Sequence, residues 1–164
     1  MLLAAAFAAL QPVGPAAALR VAYDGSEWSI LIEGGGLEPY RATLRCTERC
    51  SHSTSYSENV EAPLGLLVLS EEHGLILAIG GTGSAYIVRV WALSAAGVRP
   101  ILVTGTRGWP DVYNVRNGDP IIRTYERPQD AAGRESSSAL RAVSWRYRGG
   151  RFTRAADRSL QGTD

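Results

Sequence analysis

Ser144-Trp145-Arg146-Tyr147-Arg148-Gly149-Gly150-Arg151-Phe152-Thr153-Arg154 carries the clearest β-hairpin pattern in the chain. Two runs of β-forming residues flank a Gly-Gly pair. A two-residue glycine loop permits the primed turns whose twist matches that of paired strands. The predicted register pairs Arg148 with Arg151, Tyr147 with Phe152, Arg146 with Thr153 and Trp145 with Arg154. Paired residues share a face. One face therefore carries Trp145, Tyr147 and Phe152, with Arg154 placed to lie over the indole. The other carries Arg146, Arg148 and Arg151. Stacking aromatics turned outward, as on a nucleic-acid or polysaccharide platform, would leave this hairpin no buried face, so the aromatics are expected inward.

The same grammar runs along the chain. Strands are predicted at Leu19–Tyr23, Trp28–Glu33, Arg41–Cys46, Leu66–Leu69, Leu75–Ile79, Ala85–Leu93, Ile101–Thr104, Val112–Val115, Ile121–Tyr125, Leu140–Tyr147 and Arg151–Arg154. Each is rich in Val, Ile, Leu, Tyr or Trp. Turn clusters separate them: Asp24-Gly25-Ser26, Gly34-Gly35-Gly36, His73-Gly74, Gly80 to Gly83, Asn117-Gly118-Asp119-Pro120 and Gly149-Gly150. No window after residue 18 holds a sustained 3.6-residue apolar period. The fold class expected is all-β and antiparallel, a short-stranded two-sheet sandwich or partly closed barrel. The alternative is a small propeller-like array of repeated hairpins. It draws on a loose repeat at Ile30, Ile76 and Ile101, where Ile-Leu is followed by a glycine in the fifth place. The polar segment Arg127–Ser138 is expected to be a long mobile loop.

Residues 1–18, MLLAAAFAALQPVGPAAA, hold no charged side chain. An apolar run, a Pro/Gly breaker and a small-residue Ala-x-Ala site predict a secretory signal peptide cleaved after Ala18. The run is about half the roughly 20 residues that a membrane span requires. The expected organisation is a signal peptide at 1–18, one β domain at 19–154 and a flexible tail at 155–164. The protein is then exported, periplasmic or secreted, with no membrane span in the mature chain.

All seventeen basic residues are Arg. Residues 19–82 carry nine acids and four Arg, a net of −5, and residues 83–164 carry seven acids and thirteen Arg, a net of +6. Such asymmetry would steer an anionic partner toward the C-terminal half, but the two halves are expected to lie side by side in one sheet with their charges intermingled.

Cys46 and Cys50 are the only cysteines. In an exported protein the default is a disulfide, and a turn brings two such Cα atoms within about 6 Å. The alternative is a metal site in which Cys46, Cys50 and His52 supply three ligands and His73 a fourth. Cys-x-x-x-Cys followed by His resembles the motif of exported copper-handling proteins, which implies copper or zinc. Here His52 comes only two residues after Cys50, no Pro follows Cys50, and no Met follows Met1.

Catalytic signals are sparse. His52 and His73 are the only histidines, and there is no Gly-x-Ser-x-Gly elbow and no phosphate-binding loop with its lysine. A small secreted hydrolase using either histidine is a second alternative, and no cofactor is expected. Binding character is clearer in Thr106–Asn114. There Trp109 and Tyr113 offer flat apolar faces, and Arg107, Asp111 and Asn114 offer hydrogen bonds. The leading expectation is a non-catalytic binding module for an envelope protein or glycan. Its candidate surfaces are this loop and the Arg146, Arg148, Arg151 face; nucleic acid is not an expected partner.

Overall fold

The computed structural model describes residues 16–113, 119–135 and 140–155. Most of the predicted leader, Asn114 and the tail from 156 onward lie outside them. Twelve strands follow one another: β1 (Ala17–Tyr23), β2 (Ser26–Gly35), β3 (Glu38–Glu48), β4 (Ser55–Val60), β5 (Ala62–Ser70), β6 (Leu75–Gly81), β7 (Tyr86–Ser94), β8 (Gly97–Thr106), β9 (Asp111–Tyr113), β10 (Ile121–Glu126), β11 (Arg141–Arg148) and β12 (Arg151–Ala155). They form three four-stranded antiparallel sheets, β1 to β4, β5 to β8 and β9 to β12, each in sequence order. None closes into a barrel. No helix among the described residues is long and apolar enough to cross a membrane.

The all-β, antiparallel expectation holds, and the expected sandwich is present twice over. Val21, Trp28, Ile30, Ile32, Ala42 and Leu44 of the first sheet pack on Ile76, Ala78, Trp91 and Leu93 of the second. The opposite face of the second sheet, with Leu75, Leu77, Ile79, Val88 and Val90, packs on Ile122 and Tyr147 of the third. The second sheet is therefore a middle layer. Its central strand reads Leu75-Ile76-Leu77-Ala78-Ile79, all buried, because both of its faces meet a core. Burying apolar area contributes roughly 25 cal/mol per Å2, and this strand gains it on both faces.

β4 was not among the expected strands. Its sequence, Ser55-Tyr56-Ser57-Glu58-Asn59-Val60, hides its alternation because a carboxylate occupies an inward position. Tyr56 and Val60 join the core, and Glu58 between them points the same way, toward Arg89 and Trp91 of β7. β4 also lies across the second sheet. Thr54 at its start is beside Gly97 of β8, Glu58 meets β7, and Glu61 at its end presses on Gly80 of β6. The chain then enters β5 directly, so Glu61 alone is the corner between two crossed sheets. Strands that switch sheets at a bend are the means by which crossed sandwiches are built. A propeller linker would instead return across its own sheet, so the crossing supports the sandwich over the propeller-like alternative.

The C-terminal hairpin has the predicted register at all four pairs. Gly149 and Gly150 have φ of 56° and 82°, the left-handed values that a primed turn requires. Three local expectations are corrected. Arg154 does not lie over the Trp145 indole: it bonds Glu126, while the indole N–H donates to Thr124. The repeat beginning at Ile101 is not a hairpin like those at Ile30 and Ile76, because β8 and β9 belong to different sheets. Finally, the described part of the supposed mobile loop is organised. Asp130 accepts hydrogen bonds from the backbone N–H groups of Ala132 and Arg134, both at 2.9 Å, and Gln129 bridges to Glu135.

Candidate binding face on the third sheet

The register of the third sheet decides which side chains meet. Tyr113 of β9 lies opposite Ile121 of β10, Ile121 opposite Arg146 of β11, and Arg146 opposite Thr153 of β12. The next row runs Asp111, Arg123, Ser144 and Ala155. Residues two apart on a strand share a face, so Asp111, Tyr113, Arg123, Tyr125, Arg146, Arg148 and Arg151 all stand on the outer side. The inner side, with Ile122, Val143, Tyr147 and Phe152, faces the core. Trp109 and Arg107 do not join the sheet, whereas Asp111 and Tyr113, from the end of the same loop, thus share one face with the hairpin arginines.

Its internal contacts are polar and aromatic. The Arg123 guanidinium lies over the Tyr113 ring, 5.2 Å from its centroid, and Nη1 donates to the Tyr113 hydroxyl at 3.2 Å. The Tyr125 hydroxyl donates to Asp111. That hydrogen bond, with burial and the Asp111 charge behind it, pushes the Tyr125 pKa up, so the hydroxyl stays protonated at neutral pH. Arg146, Arg148 and Arg151 are exposed. Four arginines against one aspartate leave the face with a net charge of +3. Trp109, 51% exposed, packs instead against Tyr86 of the second sheet in an edge-to-face contact with a centroid distance of 5.4 Å, while Pro110 beside it is buried.

Arg107 turns the other way. It reaches Glu135 at 3.0 Å in a cleft of about 610 Å3 between the second and third sheets. Arg127, Arg141, Arg154, Glu126, Ala85 and Gly105 line the same cleft. Arg123, Glu126, Arg127 and Arg141 were not singled out from the sequence, and Arg154 was singled out only as a partner for the Trp145 indole. The alternation of Ile121–Glu126 places Arg123 outward and Glu126 inward, so the signal was present once β10 was put in register with β11.

Cys46 and Cys50 are joined as a disulfide pair with Cα atoms 5.9 Å apart. His52 lines a shallow depression with Tyr23, Trp28 and Cys46. His73 instead packs on Tyr147, 5.0 Å between ring centroids, with Nε2 3.7 Å from Asp119. Among the described residues no three His, Cys, Asp or Glu side chains are grouped as a metal would require. The Ser70 hydroxyl near His73 accepts that residue's backbone N–H at 3.2 Å. Among the described residues no serine hydroxyl bonds either imidazole.

Neither a protein-family model, nor a curated protein, nor a solved structure matches this chain.

Proposed function

We propose that the protein is an exported, non-catalytic binding module of the cell envelope. Its partner, an acidic glycan or an acidic protein surface, docks on the outer face of β9 to β12. The observation that carries this reading is the cross-strand row from Tyr113 through Ile121 to Arg146. It merges an exposed aromatic ring and four guanidinium groups into one flat surface. A tyrosine ring covers the apolar side of a sugar, and the arginine fork suits the carboxylate or phosphate such a sugar carries. Export is supported by the leader-like pattern of residues 1–18 and by the paired cysteines, which persist in oxidising compartments. The metal-handling alternative would need the two thiols free as thiolate ligands, and the hydrolase alternative would need a nucleophile on His52 or His73.

Binding to polygalacturonate and to neutral dextran, at low and at physiological ionic strength, tests the reading. Retention on the acidic polymer that weakens with salt and is reduced in Tyr113→Ala supports it. Equal behaviour toward both polymers, together with envelope partners that Tyr113→Ala recovers unchanged, rejects the face as the docking surface.

A further inference from the structure

We infer that the cleft between the second and third sheets is a binding site for a dianionic oxyanion, a phosphate or sulfate, either free or carried as an ester on a sugar. The site is independent of the outer face. Glu126, Arg141 and Arg154 belong to the opposite, inner side of the third sheet, in register with Val143 and Trp145 rather than with Arg146.

Charge comes first. Arg107, Arg127, Arg141 and Arg154 converge on the cleft, against Glu126 and Glu135, for a net of +2. Each carboxylate is shared. Arg141 and Arg154 both donate to Oε1 of Glu126, the latter at 2.6 Å. Arg107 donates to both oxygens of Glu135, at 3.0 and 3.3 Å, and Arg127 stands 4.0 Å from it. A guanidinium has five N–H donors, and one or two are spent on a shared carboxylate. Among the described residues, most donors in the cleft therefore remain for another acceptor. The arginine fork matches tetrahedral oxyanions through paired N–H donors.

Space and rigidity come second. Ala85 and Gly105 are among the lining residues and put at most one methyl group into the cleft. Its volume of about 610 Å3 admits a phosphate together with a sugar ring. The floor is tied down where β8 meets β10. The Arg107 backbone N–H donates to the Tyr125 carbonyl at 2.7 Å, and the Thr106 hydroxyl bridges, accepting from the Tyr125 N–H at 2.8 Å and donating to the Gly108 carbonyl at 2.7 Å. The arginines thus spring from a fixed frame, which lowers the ordering cost of binding. Burial disfavours ionised Glu126, but the Arg141 hydrogen bond and the two arginine charges outweigh it, so its pKa lies below the usual range. Glu126 consequently stays charged at neutral pH and holds the two guanidinium groups side by side.

Titration calorimetry of the full chain with sodium phosphate, sodium sulfate, glucose 6-phosphate and glucose, at ionic strength held constant with chloride, tests the site. Saturable binding of the oxyanions and none of glucose is expected. Arg141→Gln with Arg154→Gln should weaken binding by about tenfold or more, the loss of charge-assisted hydrogen bonds. Glu126→Gln, which removes a competing negative charge, should tighten it, an effect that a purely structural carboxylate would not produce. Arg20→Gln with Arg41→Gln and Arg45→Gln, exposed positions on the first sheet, should leave it unchanged. Glucose 6-phosphate binding about tenfold more tightly than phosphate would make the sugar ester the ligand class, and equal affinity would make it the free oxyanion. Heats no different from those of chloride, or wild-type affinity in the Arg141/Arg154 variant, would overturn the inference.

Discussion

Arg89 grips Glu61 with two prongs: Nε donates to Oε2 at 3.1 Å and Nη2 to Oε1 at 3.0 Å. Its remaining nitrogen, Nη1, donates to Glu58 at 3.1 Å, and the Trp91 indole N–H donates to the other oxygen of Glu58. One guanidinium on β7 thereby holds both the inward carboxylate of β4 and the corner where the chain passes from the first sheet to the second. The side chains of Arg89, Glu58 and Glu61 are 16%, 22% and 25% exposed, so water screens the cluster only in part. A planar fork grips one carboxylate with two parallel N–H donors and still has a nitrogen for the second, a geometry a lysine ammonium lacks.

Removing Arg89 would leave two facing carboxylates partly buried without a counter-ion. Arg89→Met is expected to cost about 3 kcal/mol, and Glu61→Gln, which keeps one acceptor for the guanidinium, about 1 kcal/mol. Urea unfolding of each variant measures both. Equal losses would show that packing at the corner, rather than charge pairing, sets the cost.

The same cluster makes stability depend on acid. Burial works against ionised Glu61, but the Arg89 hydrogen bond, a backbone hydrogen bond and the Arg89 charge prevail, holding its pKa below the usual 4.5. A carboxyl depressed in the folded state adds stability that is present above its unfolded pKa and is lost as pH falls through the folded value. Unfolding free energy should therefore decline as pH drops below the ordinary 4.5 of Glu61 toward its lower folded value. The decline should be shallower in Glu61→Gln. Identical acid profiles would contradict the assignment.

Gly80 is where β6 passes beneath the corner. A Cβ there would come within 2.6 Å of the Glu61 Cβ. Gly80→Ala must push the corner outward and loosen the Arg89 grip, with an expected loss of about 2 kcal/mol, typical of overpacking. Combined with Glu61→Gln, the loss should be less than additive, because both act on one contact.

The Cys46–Cys50 bridge closes a short loop. Its removal by Cys46→Ser with Cys50→Ser is expected to cost about 2 kcal/mol or less, since short loops remove little unfolded-chain entropy. The effect should be local. Hydrogen exchange should quicken around the loop, where the Cys46 N–H donates to the Thr54 carbonyl, and stay unchanged in β6. Thiol titration of the unfolded protein without reductant should find no free thiol; two free thiols would revive the metal reading of this pair.

What the sequence discloses here follows from how each strand is buried. The hairpin Trp145–Arg154 was legible to the last pair, because its turn glycines fix the register and its aromatics mark one face. β6 was legible as a strand but not as the middle of three layers: a continuous apolar run states that both faces are covered without saying by what. β4 was illegible, because an inward glutamate breaks the apolar alternation and its partners Arg89 and Trp91 lie some thirty residues away. The candidate surfaces were each visible, and the Asn117-Gly118-Asp119-Pro120 cluster marked a turn between β9 and β10, but which side of these strands faces the core depended on packing between distant sheets. The cleft was hidden for the same reason, since Arg107 reaches it from one sheet and Arg141 and Arg154 from another.

The most direct test of the binding account is a pull-down from envelope extract with two charge-reversed proteins. One carries Arg146→Glu, Arg148→Glu and Arg151→Glu on the outer face of the third sheet. The other carries Arg20→Glu, Arg41→Glu and Arg45→Glu, equally exposed positions on the first sheet. Both should fold, because exposed substitutions of this kind shift stability by about 0.5 kcal/mol or less. The first should lose the partners recovered by the wild type and the second should keep them; equal recovery by both variants would rule out the outer face as the docking surface.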